Sequence, residues 1–214
     1  MRQFKTMHRS LALAMLFGAA PASWAAAPPE AASCIACHGA DGMGNAAVGY
    51  PRLAGLPATY IADQLHYFGD GMRRNAIMSG MVKSLSAAQV TALARYYAGL
   101  KPSAKPAAVP AAAVAAEGER LALRGDWEKG IPACIRCHGP GGIGVGENFP
   151  PLVGQSAAYN EGQIKAWKDG SRSGDPLGMM HTVALRLSDA QTRAVAQWLA
   201  AQPLAPSKST PAKH

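Results

Sequence analysis

Apolar side chains recur three and four positions apart along much of the chain, which is the period of an amphipathic helix. One such run begins at Ser86 and has Gln89 three positions later, a pair that is typical of a capping box at the start of a helix. Its apolar face is formed by Val90, Leu93, Ala94 and Tyr97. No segment alternates convincingly between apolar and polar residues with the period of a strand. The pattern therefore predicts an all-α fold.

Three further segments show the helical period. A run after Ser188 repeats the capping box with Gln191, and middle helices are predicted to start near Pro57 and after Ser156. The run after Ser188 carries Val195, Trp198 and Leu199. The two middle helices carry Tyr60, Ile61, Gln64, Leu65 and Phe68 in the first case and Tyr159, Gln163, Ile164 and Trp167 in the second.

These helices belong to two copies of one sequence unit. CIACHG at residues 34–39 returns as CIRCHG at residues 134–139, and PRLAG at residues 51–55 is matched by PPLVG at residues 150–154. Further matched pairs are Tyr60 with Tyr159, Gln64 with Gln163, Arg73 with Arg172, Met78 with Met180, Ser86 with Ser188 and Tyr96 with Trp198. The matches keep one order at an offset of about 100 positions, which indicates a duplicated domain.

A connector rich in proline and alanine, KPSAKPAAVPAAA, separates the copies at residues 101–113. Such a composition favours an extended, semi-rigid linker over a folded element. The predicted domains are therefore residues 28–100 and residues 114–202. Residues 203–214 share the Pro, Ser and Lys character of the connector and are predicted to form a flexible tail.

Residues 1–27 have the features of a secretory signal peptide. Arg2, Lys5 and Arg9 precede an apolar stretch at residues 11–20, and small residues then offer a cleavage site. The apolar stretch is short for a membrane-spanning helix, although a retained membrane anchor is the alternative. We expect export to the periplasm and a soluble mature protein that meets the membrane only through its partners.

The charge distribution argues against a nucleic-acid surface. The net charge is +8, and loss of the predicted signal peptide removes three basic residues and no acidic one. Much of the remaining excess lies in the connector and the tail, at Lys101, Lys105, Lys208 and Lys213. Neither domain therefore shows a basic face, and we expect redox proteins as partners and no nucleic acid.

All four cysteines of the chain lie in two C-x-x-C-H phrases. Cys34 and Cys37 precede His38, and Cys134 and Cys137 precede His138. This spacing is typical of covalent haem attachment, in which the thiols add to the porphyrin vinyl groups and the histidine coordinates iron. A four-cysteine zinc site, redox dithiols and disulfides are the alternatives, but one zinc site would not explain a histidine in each copy. The sequence predicts two covalently bound haem c groups.

The repeat also selects a sixth ligand for each iron. Met78 and Met180 occupy equivalent positions, and a methionine opposite the histidine fills both axial sites and raises the reduction potential. Met81 and Met179 are the fallback ligands, and His181 would give bis-histidine ligation in the second copy alone. A purely space-filling role for the methionines is the remaining interpretation.

Two pairs of residues are predicted to support the haem groups. A ligating imidazole usually donates its second N–H to a carbonyl or carboxylate, and Pro51 and Pro150 occupy matching positions from which a carbonyl could accept it. Arg73 and Arg172 could hold haem propionates through paired donors. A solvated helix end is the alternative for the two arginines.

Together these motifs resemble the dihaem cytochrome c4 family over nearly all of residues 34–202. The shared motifs are CxxCHG, P-x-L-[AV]-G, Tyr-x3-Gln, D-G-x-R and M-x-G-M-x3-LS. The resemblance implies two tandem class I cytochrome c domains that face each other, with the haem propionate edges near their interface. It also implies a periplasmic carrier in a respiratory chain, with His38 and Met78, and His138 and Met180, as axial ligands.

The N-terminus departs from this family. In its members a helix precedes the first CxxCH, whereas here only a few residues separate the predicted cleavage site from Cys34, and several of them are Pro or Ala. The second copy keeps such a helix at residues 117–123. The first domain is therefore expected to be less stable or to expose more of its haem.

We expect an electron-transfer protein and not an enzyme, because two methionine ligands would leave no iron open to substrate. The main hypothesis is a carrier between a respiratory donor complex and a terminal oxidase. The second is an electron-accepting cytochrome subunit of a periplasmic dehydrogenase complex, docked through the lysine-bearing connector and tail. A dihaem peroxidase, which needs an open iron, is the third.

Overall fold

The computed structural model describes residues 26–103, 106–175 and 177–204. The predicted signal peptide lies almost wholly outside these ranges, as does most of the predicted tail. The described residues form helices joined by turns, and their only strand-like features are isolated bridges. The all-α prediction is confirmed. None of the described helices is long and apolar enough to cross a membrane.

The described part of each sequence copy folds into its own set of short helices. The first copy forms α1 (Ala31–His38), α2 (Ala58–Gly69), α3 (Ala76–Val82) and α4 (Ala87–Gly99). The second copy forms α5 (Ala112–Leu123), α6 (Ile135–His138), α7 (Ala157–Lys168), α8 (Met179–Arg186) and α9 (Asp189–Ala200). Single 3-10 turns lie at Ala46–Val48, Trp127–Lys129 and Pro140–Gly142.

The last helix of each domain begins with the predicted capping box. The Ser86 hydroxyl accepts a hydrogen bond from the backbone N–H of Gln89, and the Gln89 side chain accepts one from the backbone N–H of Ser86. Ser188 and Gln191 form the same reciprocal pair at the start of α9. The predicted apolar face of α4 is buried, and it consists of Val90, Leu93, Ala94 and Tyr97. These predictions from the sequence are confirmed.

The middle helices pack against the last helices. Helix α2 follows Pro57 and lies against α4, while α7 follows Ser156 and lies against α9. The first core is built from Ala31, Leu56, Ile61, Leu93, Ala94 and Tyr97. The second core is built from Leu121, Ala122, Ile131, Val153, Leu187, Val195 and Leu199. The sequence repeat therefore folds into two small helical domains that share one arrangement of helices.

Helix α5 has no counterpart in the described part of the first domain. It packs along α9, whereas residues 26–30, which lie before α1, are not helical. Ala31, the first residue of α1, is fully buried and joins the first core. Within the described residues, the first domain therefore covers its last helix with less chain than the second, in agreement with the expectation from the sequence.

The connector is shorter than predicted. Helix α5 begins at Ala112, inside the segment 101–113 that the sequence assigned to the linker. Alanine has the highest helix propensity, so the run of alanines after Pro110 favours an earlier start of the helix. The connector is also tied to the second domain, because the backbone N–H of Ala107 donates to the carbonyl oxygen of Ala200 at 2.9 Å.

Substitution of Gly118 by alanine should destabilise the second domain. A Cβ atom at Gly118 would collide with the backbone of Ala194 and lie 2.5 Å from Cβ of Trp198, because α5 crosses α9 at this point. We expect Gly118→Ala to lower the free energy of unfolding by about 1–3 kcal/mol, as measured by denaturant titration.

The matched control is Gly162→Ala in α7, where an added Cβ would meet no atom within 4 Å. Here we expect a gain of about 0.4–1 kcal/mol, because alanine reduces the conformational entropy of the unfolded chain. Equal effects of the two substitutions would contradict the close crossing of α5 and α9.

Candidate haem sites

The histidine of each CxxCH phrase ends a helix and is fixed by a proline carbonyl. His38 ends α1 and His138 ends α6, and each is only 6% exposed. Nδ1 of His38 lies 2.9 Å from the carbonyl oxygen of Pro51, and Nδ1 of His138 lies 2.8 Å from that of Pro150. A carbonyl can only accept, so Nδ1 carries the proton. Nε2 is then left with the lone pair that binds a metal.

Both imidazoles are held in the neutral form that coordinates iron. Burial lowers the pKa of His38, and the hydrogen bond to Pro51 only partly offsets this effect. Burial also lowers the pKa of His138, against the opposing hydrogen bond to Pro150, and the positive charge of Arg172 lowers it further. An uncharged ring with a free Nε2 suits axial ligation.

The glycine that closes each CxxCHG phrase is required by the backbone. Gly39 has φ 77° and ψ 154°, and Gly139 has φ 78° and ψ 166°. This region of conformational space is essentially restricted to glycine. The turn lets the backbone N–H of Gly44 donate to the His38 carbonyl oxygen at 2.8 Å, and that of Gly144 to the His138 carbonyl oxygen at 2.7 Å. The chain can therefore return beneath the histidine towards the proline that supports it.

The first cysteine of each CxxCH phrase is a free thiol with a raised pKa. Burial raises the pKa of Cys34, and it raises the pKa of Cys134 to about 11. A redox dithiol has the opposite property, a lowered pKa. None of the four cysteines forms a disulfide, and no group of three or more His, Cys, Asp or Glu in the described chain is placed to hold a metal ion. The raised pKa values of Cys34 and Cys134 argue against the redox-dithiol alternative.

The predicted methionine ligands lie near the starts of short helices. Met78 lies in the first turn of α3 and Met180 in the first turn of α8, and both are partly buried. The fallback ligands Met81 and Met179 are each 39% exposed. His181 is also exposed, and its Nδ1 lies 2.8 Å from the Trp167 carbonyl oxygen. The placement favours Met78 and Met180, whose binding to iron stays a prediction.

Two side chains that the sequence analysis missed hold these methionines in place. Asn75 caps α3, and its side-chain oxygen accepts from the backbone N–H of Met78 at 3.0 Å. Asp175 accepts from the backbone N–H groups of Met180 and His181. The sequence contained a sign of both contacts. A residue with a side-chain acceptor lies before each of the two methionine-bearing helices, and Asn and Asp favour helix starts.

The residues of each domain fit a covalently bound haem c. Each domain supplies two unpaired thiols, an imidazole with a free Nε2 and a partly buried thioether. These are the donors of a His/Met-ligated c-type haem, which supplies one-electron chemistry through its iron. The chain's own contribution is to fix the ligands and to hold both histidines neutral.

The two predicted propionate ligands lie at the interface between the domains. Arg73 and Arg172 form an antiparallel bridge, and each is 7% exposed, so the solvated helix end is wrong as an interpretation. Arg73 donates to Gln64 (3.0 Å), Tyr159 (2.8 Å) and Gln163 (2.6 Å). Arg172 donates to Gln163 (3.1 Å), Tyr60 (2.9 Å) and Gln64 (2.9 Å). Contact with haem propionates stays a prediction.

A second contact between the domains was not anticipated. The backbone N–H of Arg52 donates to the Gln155 side-chain oxygen at 3.0 Å, and the Gln155 amide donates back to the Arg52 carbonyl oxygen at 2.7 Å. The guanidinium of Arg52 donates to the carbonyl oxygens of Val153 and Gly154, both at 3.1 Å. Burial lowers the pKa of Arg52 to about 10, which leaves it charged at neutral pH. The sequence contained one sign of a special role for Arg52, because the second copy has a proline at the matching position.

Comparison with known proteins agrees with this geometry. Residues 29–101 match the family described as cytochrome c, and residues 117–199 match the family described as cytochrome C oxidase, cbb3-type, subunit III. Cytochrome c4 from Pseudomonas aeruginosa is 36% identical over 177 residues, which cover 82% of this chain and 86% of that one. This chain belongs to the dihaem cytochrome c4 family. It is an electron-transfer protein with two covalently bound haem c groups.

Solved structures support the assignment. Reduced cytochrome c4 from Pseudomonas stutzeri is 33% identical with a TM-score of 0.75, over 81% of this chain and 95% of that chain. A thiosulfate dehydrogenase from Marichromatium purpuratum is 44% identical with a TM-score of 0.75, over 80% of this chain and 36% of that longer chain. The tandem cytochrome c architecture predicted from the repeat is confirmed.

Another relative matches along the entire chain. The thiosulfate dehydrogenase electron acceptor of Thiomonas intermedia is 79% identical over 217 residues, which cover 100% of both chains. Like the cytochromes c4, this relative is named as an electron-transfer protein. The similarity therefore agrees with electron transfer as the role of the chain.

Removal of the Asp175 side chain should weaken the predicted ligation by Met180. Asp175→Ala leaves two backbone N–H groups at the start of α8 without their acceptor, a loss of about 1 kcal/mol. We expect roughly a fivefold higher affinity for added imidazole at that iron, together with a weaker near-red methionine-to-iron absorption band.

Asp175→Asn is the matched control, because an amide oxygen can still accept both hydrogen bonds. It should bind imidazole as the natural protein does. An unchanged affinity in Asp175→Ala would show that Asp175 does not position Met180.

Proposed function

We propose that this chain is the electron acceptor of a periplasmic thiosulfate dehydrogenase. The observation that carries the proposal is the 79% identity with the thiosulfate dehydrogenase electron acceptor of Thiomonas intermedia, which covers 100% of both chains. A second protein of that name, from Stutzerimonas stutzeri, is 45% identical over 81% of each chain. The cytochrome c4 of Pseudomonas aeruginosa is less similar, with 36% identity.

The comparisons therefore favour the second hypothesis from the sequence, a dehydrogenase-linked cytochrome, over the first. A carrier that delivers electrons to a terminal oxidase has in its favour the general likeness to cytochromes c4 and the match of residues 117–199 to an oxidase-subunit family, but that match spans one domain only. The dihaem peroxidase has no support among these relatives.

Two properties of the fold suit an acceptor that takes up electrons one at a time. Burial keeps His38 and His138 neutral, and the proline carbonyls orient both rings. The contacts of Arg52, Arg73 and Arg172 join the two domains, so both haem sites belong to one packed unit. This arrangement suits the transfer of electrons between the two haem sites within one molecule.

Export remains part of the proposal. The basic and apolar N-terminal segment motivates it, since covalent haem attachment to CxxCH follows export in bacteria. Recovery of the haem-bearing protein from the periplasmic fraction of cells tests it, and haem-bearing protein confined to the cytoplasm would contradict it.

Reduction by a thiosulfate dehydrogenase is the decisive experiment for the partner. The oxidised protein is mixed with catalytic amounts of purified enzyme and excess thiosulfate, and haem reduction is followed by stopped-flow absorbance. We expect reduction of both haems, at least about tenfold faster than for Pseudomonas aeruginosa cytochrome c4 under the same conditions. A tenfold ratio corresponds to about 1.4 kcal/mol of discrimination.

Two controls make the result specific. Thiosulfate without enzyme should leave both haems oxidised, and dithionite should reduce both and define full amplitude. Reduction no faster than that of the cytochrome c4 control would contradict a dedicated acceptor and return the general carrier to first place.

A further inference from the structure

The segment that leads to Met180 is longer than its counterpart in the first domain. Met78 follows Arg73 by five positions, whereas Met180 follows the equivalent Arg172 by eight. A longer segment loses more conformational freedom when its end is fixed in one place. The predicted methionine ligand of the second domain therefore depends more strongly on the contacts made by the residues before it.

The first domain supplies contacts to the start of this segment. The backbone N–H and the hydroxyl of Ser173 both donate to the carbonyl oxygen of Met72, at 2.6 Å and 3.2 Å. Gly174 comes directly afterwards and lies against the ring of Tyr67, which belongs to α2. The approach is so close that a Cβ atom at Gly174 would collide with the ring and lie 2.7 Å from its Cγ. One domain thus holds the methionine segment of the other.

The residue after Gly174 is Asp175, whose carboxylate accepts from the backbone N–H of Met180. Asp175 is itself held by the chain on both sides. Its backbone N–H donates to the carbonyl oxygen of Ser173 at 2.7 Å, and its carbonyl oxygen accepts from the N–H of Gly178 at 2.9 Å. A short path of contacts therefore leads from the interface through Asp175 to the methionine.

Tyr67 also lies near the side chain of Asp175. Burial raises the pKa of Tyr67, and the negative charges of Asp63 and Asp175 raise it further. The tyrosine is therefore a neighbour of the carboxylate that caps the methionine helix, as well as of Gly174.

This support runs in one direction only. The repeat has Ala166 at the position that matches Tyr67, and a methyl group is too short to reproduce the ring contact. The first domain, whose methionine segment is shorter, therefore receives no equivalent side chain from the second.

We propose that Tyr67 is a positioning residue for the axial ligand of the opposite domain. Its ring packs on Gly174 and thereby fixes Asp175 and Met180. The proposal takes Met180 as the sixth ligand of the second iron, which its placement favours. Because the ring belongs to the first domain, closure of the second iron depends on the docking of the two domains.

Replacement of the Tyr67 side chain should open the second iron to external ligands. Without the ring, the segment before Met180 gains freedom, and the methionine leaves the iron more often, so an added ligand competes more easily. In the oxidised, full-length, haem-bearing protein, we expect Tyr67→Ala to raise the imidazole affinity of one of the two haems roughly fivefold. The near-red methionine-to-iron band should weaken without disappearing, because the first haem keeps its ligand.

Nuclear magnetic resonance identifies the haem concerned. In the reduced protein each methionine bound to iron gives an upfield-shifted methyl signal, and Met78→Leu and Met180→Leu assign the two signals. Tyr67→Ala should broaden or displace the signal of Met180 and leave that of Met78 unchanged. Gly174→Ala disturbs the same contact from the second domain and should affect the same signal, so the test survives if one variant fails to mature.

Two matched variants separate the ring contact from a general loss of stability. Tyr67→Phe keeps the ring, and its imidazole affinity and both methionine signals should match those of the natural protein. His66→Ala removes an exposed side chain from the neighbouring position of α2 and should change neither signal.

Three outcomes would overturn the proposal. A Met180 signal that stays unchanged in Tyr67→Ala and in Gly174→Ala would show that the contact does not position the ligand. Equal changes of both methionine signals would show a general loosening of the molecule. A change in Tyr67→Phe as large as that in Tyr67→Ala would assign the effect to the hydroxyl group and not to the packing of the ring.

Discussion

In each domain the imidazole of the CxxCH histidine is hydrogen-bonded to a proline carbonyl oxygen twelve or thirteen residues further along the chain. Several backbone features of each domain position the histidine and the proline for this contact. Gly39 and Gly139 take up backbone angles that other residues avoid, so that the chain can turn directly after the histidine. Each loop is then fixed by a backbone bond, from Leu53 or its repeat partner Leu152 to the glycine carbonyl opposite, both at 2.8 Å.

The same loops build the interface. Arg52, one residue after the supporting proline of the first domain, exchanges hydrogen bonds with Gln155, which follows the matching loop of the second. The orientation of the histidine and the docking of the domains are therefore consequences of one local structure. In the other part of the interface, the buried and charged side chains of Arg73 and Arg172 join the two domains. The asymmetry of the described chain lies elsewhere, in helix α5, which has no counterpart in the described part of the first domain.

Features set by residues close together in the sequence could be predicted from it. The capping boxes at Ser86 and Ser188 depend on neighbours three positions away, and the repeat fixed the equivalence of the two cytochrome c domains. The contacts of Arg52 and Arg73 could not be predicted, since they join residues about 100 positions apart on surfaces that only the folded domains bring together. The start of α5 was placed too late, because proline and alanine in one segment suggested a linker where alanine extends a helix.

The redox partner was the property that could least be predicted from the sequence. Haem chemistry needs particular residues at a particular spacing, so CxxCH identifies it, whereas recognition of a dehydrogenase is spread over a surface and has no comparable motif. Family resemblance alone pointed to a general respiratory carrier. The full-length likeness to electron acceptors of thiosulfate dehydrogenases shifts that expectation towards a dedicated partner.

We expect both irons to be closed and to pass electrons without binding substrate. Optical spectra of the reduced, periplasmically matured protein with and without carbon monoxide test it directly. Neither haem should bind carbon monoxide, and the oxidised protein should show the near-red band of methionine bound to iron. Ready binding of carbon monoxide by either haem would contradict it, because an iron that accepts an external ligand is open to chemistry of its own.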